Sequence, residues 1–233
     1  MQQNSIQILC TRPLEPALVR EAKHLGIDID SIPFIEIAPI QTVQVQQEIA
    51  QAFLQSAKVV FTSMNAVDAI ANELLEDQPD WSIYCIGTAT QKLVTRYFGE
   101  ETIAGTAPNA TELAQLIADE GHAEEVIFFC GDQRRDELPD ILRSHNIEVH
   151  EIEVYQTIAL PHKIRKAYHG VLFFSPTAVQ SFFRQNKLPA ETILFAIGST
   201  TAAEIRKFST NNIIISDEPG KESLVRKMME YFS

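Results

Sequence analysis

Short apolar runs alternate along the chain with longer segments whose apolar residues recur at helical spacing. This alternation is typical of βα units, in which each strand of a parallel sheet is followed by a helix. The apolar runs predict strands at 6–10, 57–61, 81–86, 125–130, 147–154, 170–174, 192–197 and 212–215. We therefore expect an α/β fold built on parallel sheets.

Two of the helical segments carry recognisable end signals. The segment "LVREAKHLG" repeats apolar residues at helical spacing and ends at Gly26. The segment "NATELAQLIADEG" places Asn109 at the N-cap, Glu112 at the capping-box position and Gly121 just after the helix. These positions predict where both helices begin or end.

Two sequence patterns each occur twice. "FTS" from Phe61 matches "FFS" from Phe173 at an offset of 112 residues, and "CIGTAT" from Cys85 matches "AIGSTT" from Ala196 at 111. A second pattern, in 8–37, resembles 128–157 at an offset of about 120. Nearly constant offsets over such lengths indicate a duplicated structural unit, with the two patterns alternating along the chain.

This duplication permits two domain assignments. One is a tandem with a break near Gly121. The other makes 40–157 a continuous domain, inserted into a discontinuous domain formed by 1–37 and 160–233. "APIQTVQVQQ" (38–47) and "TIALPHKIRK" (157–166) are interpreted as connectors, which favours the second assignment. "DEGHAEE" (119–125) is a further connector candidate, so the residues alone leave both assignments open.

Composition is ordinary for a globular protein, with 45% hydrophobic and 21% charged residues among 233. The longest apolar runs are too short to span a bilayer, and no basic segment followed by a long apolar run indicates secretion, so we expect a cytoplasmic protein. Cys10, Cys85 and Cys130 are expected to be buried reduced thiols, and the scattered histidines give no metal-site spacing. A net charge of −12 argues against nucleic acid or an anionic membrane as partner.

Ligands of open α/β sheets bind at the carboxyl ends of the strands. Most loops predicted there carry Ser, Thr or Gly directly before a helix, and helix N-termini present unpaired N–H groups that bind carboxylates or phosphates. Each such residue also has an ordinary capping or turn role; Ser175 followed by Pro176, for example, is a typical helix start. The candidate binding residues are Thr11, Arg12, Ser63, Asn65, Gly87, Thr88, Gly131, Ser175, Pro176, Gly198, Ser199, Thr200 and Thr201.

Several familiar sites are absent from the sequence: it contains no dinucleotide-binding G-x-G-x-x-G after the first strand, no P-loop and no G-x-S-x-G elbow. Asp132 and Asp136 are interpreted as solvated or capping carboxylates rather than catalytic ones. Arg12 follows a strand end, where ligand binding and a local salt bridge are both open. Tyr155 ends a strand and either covers a core edge or points a phenol donor into an interdomain cleft.

Eight short segments of the chain are informative together: "TRP" (11–13), "G…P…EI" (26–37), "FTSMNAV" (61–67), "CIGTAT" (85–90), "FFCGDQRRDELPDIL" (128–142), "VYQT" (154–157), "FFSPTAV" (173–179) and "AIGSTTA" (196–202). In order and spacing, these segments resemble the uroporphyrinogen-III synthase family over essentially the whole chain. Met64 departs from the family pattern, but its neighbours Ser63 and Asn65 match.

The resemblance implies two flavodoxin-like parallel-sheet domains joined by a two-stranded connector, with the ligand cleft between them, and so selects the discontinuous assignment. It implies a cofactor-independent hydro-lyase, without metal, that dehydrates and cyclises hydroxymethylbilane with inversion of ring D to give uroporphyrinogen III. Loss of the hydroxyl would leave an azafulvene cation, and ring D would attack through its substituted carbon to form a spiro intermediate.

By the same resemblance Tyr155 is expected to be the catalytic proton donor, and the loop residues named above are expected to bind the substrate. The expected partner is the tetrapyrrole substrate, with a transient contact to hydroxymethylbilane synthase and a monomeric state. The alternative from another functional class is a non-catalytic, two-lobed cytosolic binding protein for a small anionic ligand, and a degenerate synthase that only binds tetrapyrroles is a further one.

Overall fold

The computed structural model describes residues 5–74, 78–121, 123–218 and 220–233. The chain divides into two compact units, Met1–Glu36 with Ile158–Ser233 (unit 1) and Ile37–Thr157 (unit 2). His122, within the third candidate connector, lies outside the described residues.

Strands and helices alternate along most of the chain. The strands are β1 (Ile6–Cys10), β2 (Ile27–Ser31), β3 (Ile35–Pro39), β4 (Ala57–Phe61), β5 (Trp81–Ile86), β6 (Ile103–Ala107), β7 (Glu125–Gly131), β8 (Glu148–Ala159), β9 (Gly170–Phe173), β10 (Ile193–Ala196) and β11 (Ile213–Ile215). The helices are α1 (Pro16–His24), α2 (Val43–Phe53), α3 (Met64–Ala71), α4 (Gly87–Phe98), α5 (Ala110–Asp119), α6 (Glu137–Ser144), α7 (Pro176–Phe183), α8 (Ser199–Arg206) and α9 (Lys221–Phe232).

Unit 1 is built on a five-stranded sheet in the order β2-β1-β9-β10-β11. All of its strand pairs are parallel, and this order is that of flavodoxin-like folds. Neighbouring strand residues pack on opposite faces because side chains alternate along a strand. Leu9 packs with α7 and α8, whereas Ile8 packs with α1 and α9.

Unit 2 is built on a six-stranded sheet in the order β3-β8-β7-β4-β5-β6, parallel from β8 to β6. Helices α2, α3 and α4 pack on one face and α5 and α6 on the other. Leaving β3 aside, β7 and β8 can be numbered as strands 1 and 2, and β4, β5 and β6 as strands 3, 4 and 5. The order from β8 to β6 is then 2-1-3-4-5, the same as in unit 1. The two sequence patterns thus correspond to matching elements, β1–β2 with β7–β8 and β4–β6 with β9–β11.

Every predicted strand is confirmed, but β2, β3 and β6 were not predicted. The first two alternate apolar with charged residues, "IDIDS" and "IEIAP", and are only partly buried, so they lack a continuous apolar run. The interpretation of 38–47 as a connector is wrong at both ends, because β3 continues to Pro39 and α2 begins at Val43. The interpretation of 157–166 is wrong at its start, because β8 continues to Ala159.

The predicted helix ends are confirmed. Gly26 and Gly121 follow α1 and α5 with φ of +75° and +69°, a conformation that favours glycine after a helix. The Glu112 N–H donates to Asn109 Oδ1 at 2.9 Å. Asn109 Nδ2 donates to Glu112 Oε1 at 2.7 Å, so the two side chains fix the start of α5 together.

Candidate active site

Each unit has one point where two neighbouring strands are followed along the chain by strands on opposite sides of the sheet. In unit 2 this switch point lies between β7 and β4, and in unit 1 it lies between β1 and β9. Ligands of such sheets bind outside the carboxyl ends of the strands at this point. The predicted residues at or just after the ends of these strands are Ser63, Asn65 and Gly131 in unit 2, and Thr11, Arg12, Ser175 and Pro176 in unit 1.

The orientation of Tyr155 depends on an irregularity in β8. Phe129 pairs with Ile152 and Cys130 with Glu153, but Gly131 pairs with Tyr155, so the register shifts by one residue. Such irregularities re-aim side chains next to functional sites. The shift places Tyr155 on the face that carries Phe129 and Ile152, which packs against α3.

Tyr155, Ser63, Asn65 and Gly131 are brought together in unit 2. The Tyr155 hydroxyl donates to Ser63 Oγ at 3.1 Å, and both residues are half-buried. Ser63 is the N-cap of α3, and its Oγ also accepts the Asn65 N–H at 3.1 Å. The phenol therefore lies at the start of a helix, at the carboxyl end of β4.

Gly131 provides the space that the Tyr155 ring occupies. A Cβ at Gly131 would lie 2.7 Å from the phenolic oxygen and closer still to two ring carbons. The Asp132 N–H donates to the Tyr155 carbonyl at 3.1 Å. Asp132 Oδ1 accepts the Thr157 N–H at 2.9 Å, so Asp132 bonds the backbone on both sides of Gln156, directly after Tyr155, in agreement with its interpretation as a capping carboxylate.

The corresponding strand ends of unit 1 bring Thr11 and Arg12 to β9. Thr11 is only 1% exposed, and its hydroxyl and N–H both donate to the Leu172 carbonyl, at 2.8 and 3.1 Å. Arg12 is exposed, and its guanidinium carbon lies 5.6 Å from the centre of the Phe174 ring. Within the described residues Arg12 forms no ion pair, whereas Phe174 is a neighbour that the sequence analysis missed. Phe173 packs on the face covered by α7 and α8, and Phe174 packs on the opposite face, with α1 and α9.

The helix starts after the strands differ in how they are capped. Ser175 Oγ accepts the Ala178 N–H at 3.1 Å, with Pro176 as the first residue of α7, so this predicted helix start is confirmed. Helices α4 and α8 have no side-chain cap. Helix α4 begins with Gly87 and Thr88. Helix α8 follows Gly198 and begins with Ser199, Thr200 and Thr201. Of these residues, only Thr201 is nearly inaccessible to solvent, at 3% exposure.

Comparison with known proteins identifies the family of the chain. A model of the family "Uroporphyrinogen-III synthase HemD" matches residues 16–226. The chain belongs to the uroporphyrinogen-III synthase family. The chain is also 25% identical over 243 residues to the porphyrin biosynthesis protein HemD of Ruminiclostridium josui, covering 96% of this chain but 48% of that protein. It is 26% identical over 202 residues to the uroporphyrinogen-III synthase of Saccharomyces cerevisiae, covering 72% and 73% of the two chains.

Solved structures of uroporphyrinogen-III synthases share the fold. The enzyme of Helicobacter pylori superposes with a TM-score of 0.67 at 16% identity, covering 97% of this chain and 99% of that chain. A mutant enzyme of Thermus thermophilus gives 0.65 at 13% identity, covering 97% and 98%. These comparisons do not support the alternative of a non-catalytic binding protein.

The thiols of this uroporphyrinogen-III synthase family member are buried and unbridged, as the sequence analysis expected. Burial raises the pKa of Cys10 and Cys130 to about 12 and that of Cys85 to about 11, so all are protonated and unreactive near neutral pH. Across the described residues, no group of His, Cys, Asp or Glu is arranged to hold a metal ion. None of the helices in the described ranges is long and apolar enough to cross a membrane.

Proposed function

We propose that this chain dehydrates and cyclises hydroxymethylbilane to uroporphyrinogen III, with inversion of ring D. Family membership supports this reaction. The observation that carries the residue assignment is the half-buried Tyr155 phenol, held 3.1 Å from Ser63 Oγ at the switch point of unit 2. A proton donor at the carboxyl ends of the strands lies where this type of sheet binds its ligands.

Tyr155 is proposed to be the general acid that releases water. Its O–H, which donates to Ser63 in this structure, would donate to the leaving hydroxyl while the carbon–oxygen bond breaks. The bonding electrons leave with the oxygen, and the pyrrole nitrogen stabilises the resulting azafulvene cation. A positioned acid of this kind contributes roughly 10²–10⁴-fold to the rate. The proton released after ring closure restores the phenol.

The product isomer is proposed to be set by orientation. Free hydroxymethylbilane closes to the symmetric type I product, so the enzyme must favour the conformer in which ring D attacks through its substituted carbon. The spiro intermediate then fragments and closes again as the type III isomer. Holding reacting groups in one geometry is a large catalytic effect in itself.

Substrate carboxylates are proposed to bind at the helix starts and at Arg12. Uncapped helices α4 and α8 present free N–H groups, and exposed Thr88, Ser199 and Thr200 add hydroxyl donors there. Neutral donors suit a protein of net charge −12, which has few cations to offer. Thr11 and Thr201 are nearly buried, so we assign them to the shape of these strand ends. The remaining predicted residues, Gly87, Ser175, Pro176 and Gly198, form the turns before α4, α7 and α8.

We further propose a cytoplasmic monomer that receives its substrate in a transient contact with hydroxymethylbilane synthase. The buried, unbridged cysteines fit a reducing compartment. Because the free substrate cyclises on its own, a short transfer between the enzymes would protect it.

The experiment that tests the proposed function measures the product isomer. Porphobilinogen and its deaminase are incubated with and without this protein, the products are oxidised, and type I and type III uroporphyrin are separated. We expect type III to predominate when the protein is present. Type I predominating at every protein concentration would contradict the proposal and favour a binding protein.

A further inference from the structure

Tyr155 is held by several independent contacts, and two of them involve residues predicted to bind substrate. Gly131 lies directly beneath the Tyr155 ring, and Ser63 Oγ accepts a hydrogen bond from the Tyr155 hydroxyl. We propose that Gly131 and Ser63 are positioning residues for Tyr155, which act on catalysis by fixing where the phenol points. This inference rests on the proposed function, because it assumes that Tyr155 is the proton donor.

The case for Gly131 is steric. Gly131 is buried, and it is not among the described residues with positive φ, so an alanine would suffer no backbone strain. The added Cβ would instead meet the phenolic oxygen at 2.7 Å, with two ring atoms nearer still. Since β7 is a core strand paired on both sides, the ring rather than the backbone has to move.

The position of the Tyr155 ring also argues against direct contact between Gly131 and the substrate. The ring occupies the space above the Gly131 Cα, so that face of the glycine is closed to a substrate group while Tyr155 remains in place. Gly131 was predicted to bind substrate because loops at strand ends often do. The geometry assigns it to the support of the donor instead.

The case for Ser63 follows from counting hydrogen bonds. A serine hydroxyl offers one donor and two acceptor positions. In this structure Ser63 Oγ accepts from the Tyr155 hydroxyl and from the Asn65 N–H, both at 3.1 Å. The helix N-cap therefore fixes Ser63, and Ser63 in turn holds the phenolic oxygen in place. When the Tyr155 O–H turns to the leaving hydroxyl, the Ser63 O–H can donate to the phenolic oxygen and keep it there.

The register shift in β8 completes this arrangement. With regular pairing Val154 would lie opposite Gly131, and Tyr155 would fall on the other face of the sheet. The shift and the missing side chain at Gly131 are thus needed together: one turns the ring toward α3, and the other leaves room for it.

The test compares Gly131→Ala with a matched glycine. Gly105 in β6 is also closely covered by side chains, since its Cβ would meet Leu116 Cδ2 at 2.5 Å and Tyr84 Cδ1 at 2.9 Å, but it is not part of the site. With freshly prepared hydroxymethylbilane, Gly131→Ala should lower kcat by about 10–100-fold with KM changed less than about threefold, because displacing a catalytic group by about 1 Å has effects of this size. Gly105→Ala should lower the unfolding midpoint but leave kcat per folded protein unchanged.

Ser63 is tested separately, so that the inference remains testable if Gly131→Ala does not fold. Ser63→Ala should lower kcat, Ser63→Thr should restore most of it because it keeps the Oγ, and Asn109→Ala, which removes only the cap of α5, should not change kcat. In a Tyr155→Phe background, neither Gly131→Ala nor Ser63→Ala should lower kcat further, since the hydroxyl they position is gone.

Two results would overturn the inference. If Gly131→Ala or Ser63→Ala raises KM at unchanged kcat, the residue binds substrate directly. If their effects on kcat multiply with that of Tyr155→Phe, they act independently of the phenol. Failure of the proposed function is distinguishable from both, because the unmodified protein would then produce no type III isomer in the same assay.

Discussion

At the scale of single residues, the candidate site is defined by how Tyr155 is held. Its carbonyl accepts the Asp132 N–H, its ring lies on Gly131 and its hydroxyl bonds Ser63. A tyrosine side chain has only two rotatable torsions before the ring, so these contacts leave little freedom to the phenol. A phenylalanine in place of Tyr155 removes the hydroxyl and leaves the ring and the backbone contact as they are.

Tyr155→Phe should separate chemistry from folding. The ring and its packing remain, so the free energy of unfolding should fall by only about 0.5–1.5 kcal/mol for the lost hydrogen bond to Ser63. The rate of type III formation should fall by about 10²–10⁴-fold if the phenol is the general acid. Urea unfolding and the isomer assay measure the two effects; a variant with full activity would remove Tyr155 from the mechanism.

The sequence pointed to these residues one at a time but not to their contacts. Ser63 follows an apolar run, and the family resemblance marked both Ser63 and Tyr155 as site residues. The expectation that Tyr155 ends a strand is wrong, because β8 continues to Ala159. Their hydrogen bond joins positions 92 residues apart and exists only because β8 shifts its register beside Gly131. Strand register depends on tertiary packing, so no local pattern around Tyr155 encodes it.

At the scale of elements, buried strands were predictable and half-exposed strands were not. β4, β7 and β9 contain continuous apolar runs because both of their faces are covered by helices. β2 and β3 alternate apolar and charged residues. Helix α2 was not predicted, because its first residues were assigned to a connector that contains a proline. Ile49 and Ala52 nevertheless have helical spacing and are buried. Strands at the edges of the sheets and the helix starting inside a connector thus account for the errors.

Asp30 joins β2 to the segment that leads into β9, and this contact should depend on pH. Asp30 Oδ2 accepts Lys166 Nζ at 2.6 Å and the Tyr168 hydroxyl at 2.8 Å. The bond from Lys166, followed by that from Tyr168, lowers the pKa of Asp30 from its ordinary 3.8. A group with a lowered folded pKa stabilises the fold above its unfolded pKa and loses that contribution as the pH falls through the folded pKa.

Asp30→Asn should therefore lower the free energy of unfolding near pH 7, and the difference from the unmodified protein should shrink below about pH 4. Because the Asp30 side chain is 42% exposed, solvent screening should keep the effect below about 1 kcal/mol. Urea unfolding at several pH values measures it, with Glu191→Gln as a control at an exposed carboxylate that has no ion pair among the described residues. A difference that grows toward acid pH would show that the sign is wrong.

At the scale of the whole molecule, the net charge of −12 should oppose binding of the polycarboxylate substrate that we propose. Added salt screens this repulsion, with a Debye length of about 10 Å at 0.1 M and about 30 Å at 0.01 M. We expect kcat/KM for preformed hydroxymethylbilane to rise between 10 and 150 mM NaCl, after the spontaneous cyclisation measured without protein has been subtracted. A fall in kcat/KM would instead indicate that local cations, such as Arg12, dominate the field that the substrate meets.

The apolar cores are divided between the units in the same way as the chain. All buried members of the two clusters around β4 and β7 lie between Ile49 and Val154, within unit 2. The two clusters around β1, β9 and β10 lie within unit 1. Each sheet is therefore covered on both faces by helices of its own unit, which is the requirement for an independently stable α/β domain. We propose that the inserted and the discontinuous segments are separate folding domains.

This proposal predicts that removing unit 2 leaves a folded unit 1. The Leu160 N–H donates to the Phe34 carbonyl at 2.9 Å, so the two ends that excision of residues 37–157 would create lie next to each other. A linker of a few glycine and serine residues from Glu36 to Ile158 can close such a gap at little entropic cost. The shortened chain should retain helical circular dichroism and unfold cooperatively in urea, with a smaller m-value because less surface is exposed. The outcome is checked against a destabilised variant. Phe34→Ala in the shortened chain should lower its unfolding midpoint, since Phe34 is fully buried in a unit 1 core.

A shortened chain without a cooperative transition would mean that unit 1 needs unit 2 to fold, and the two segments would then be a single folding domain.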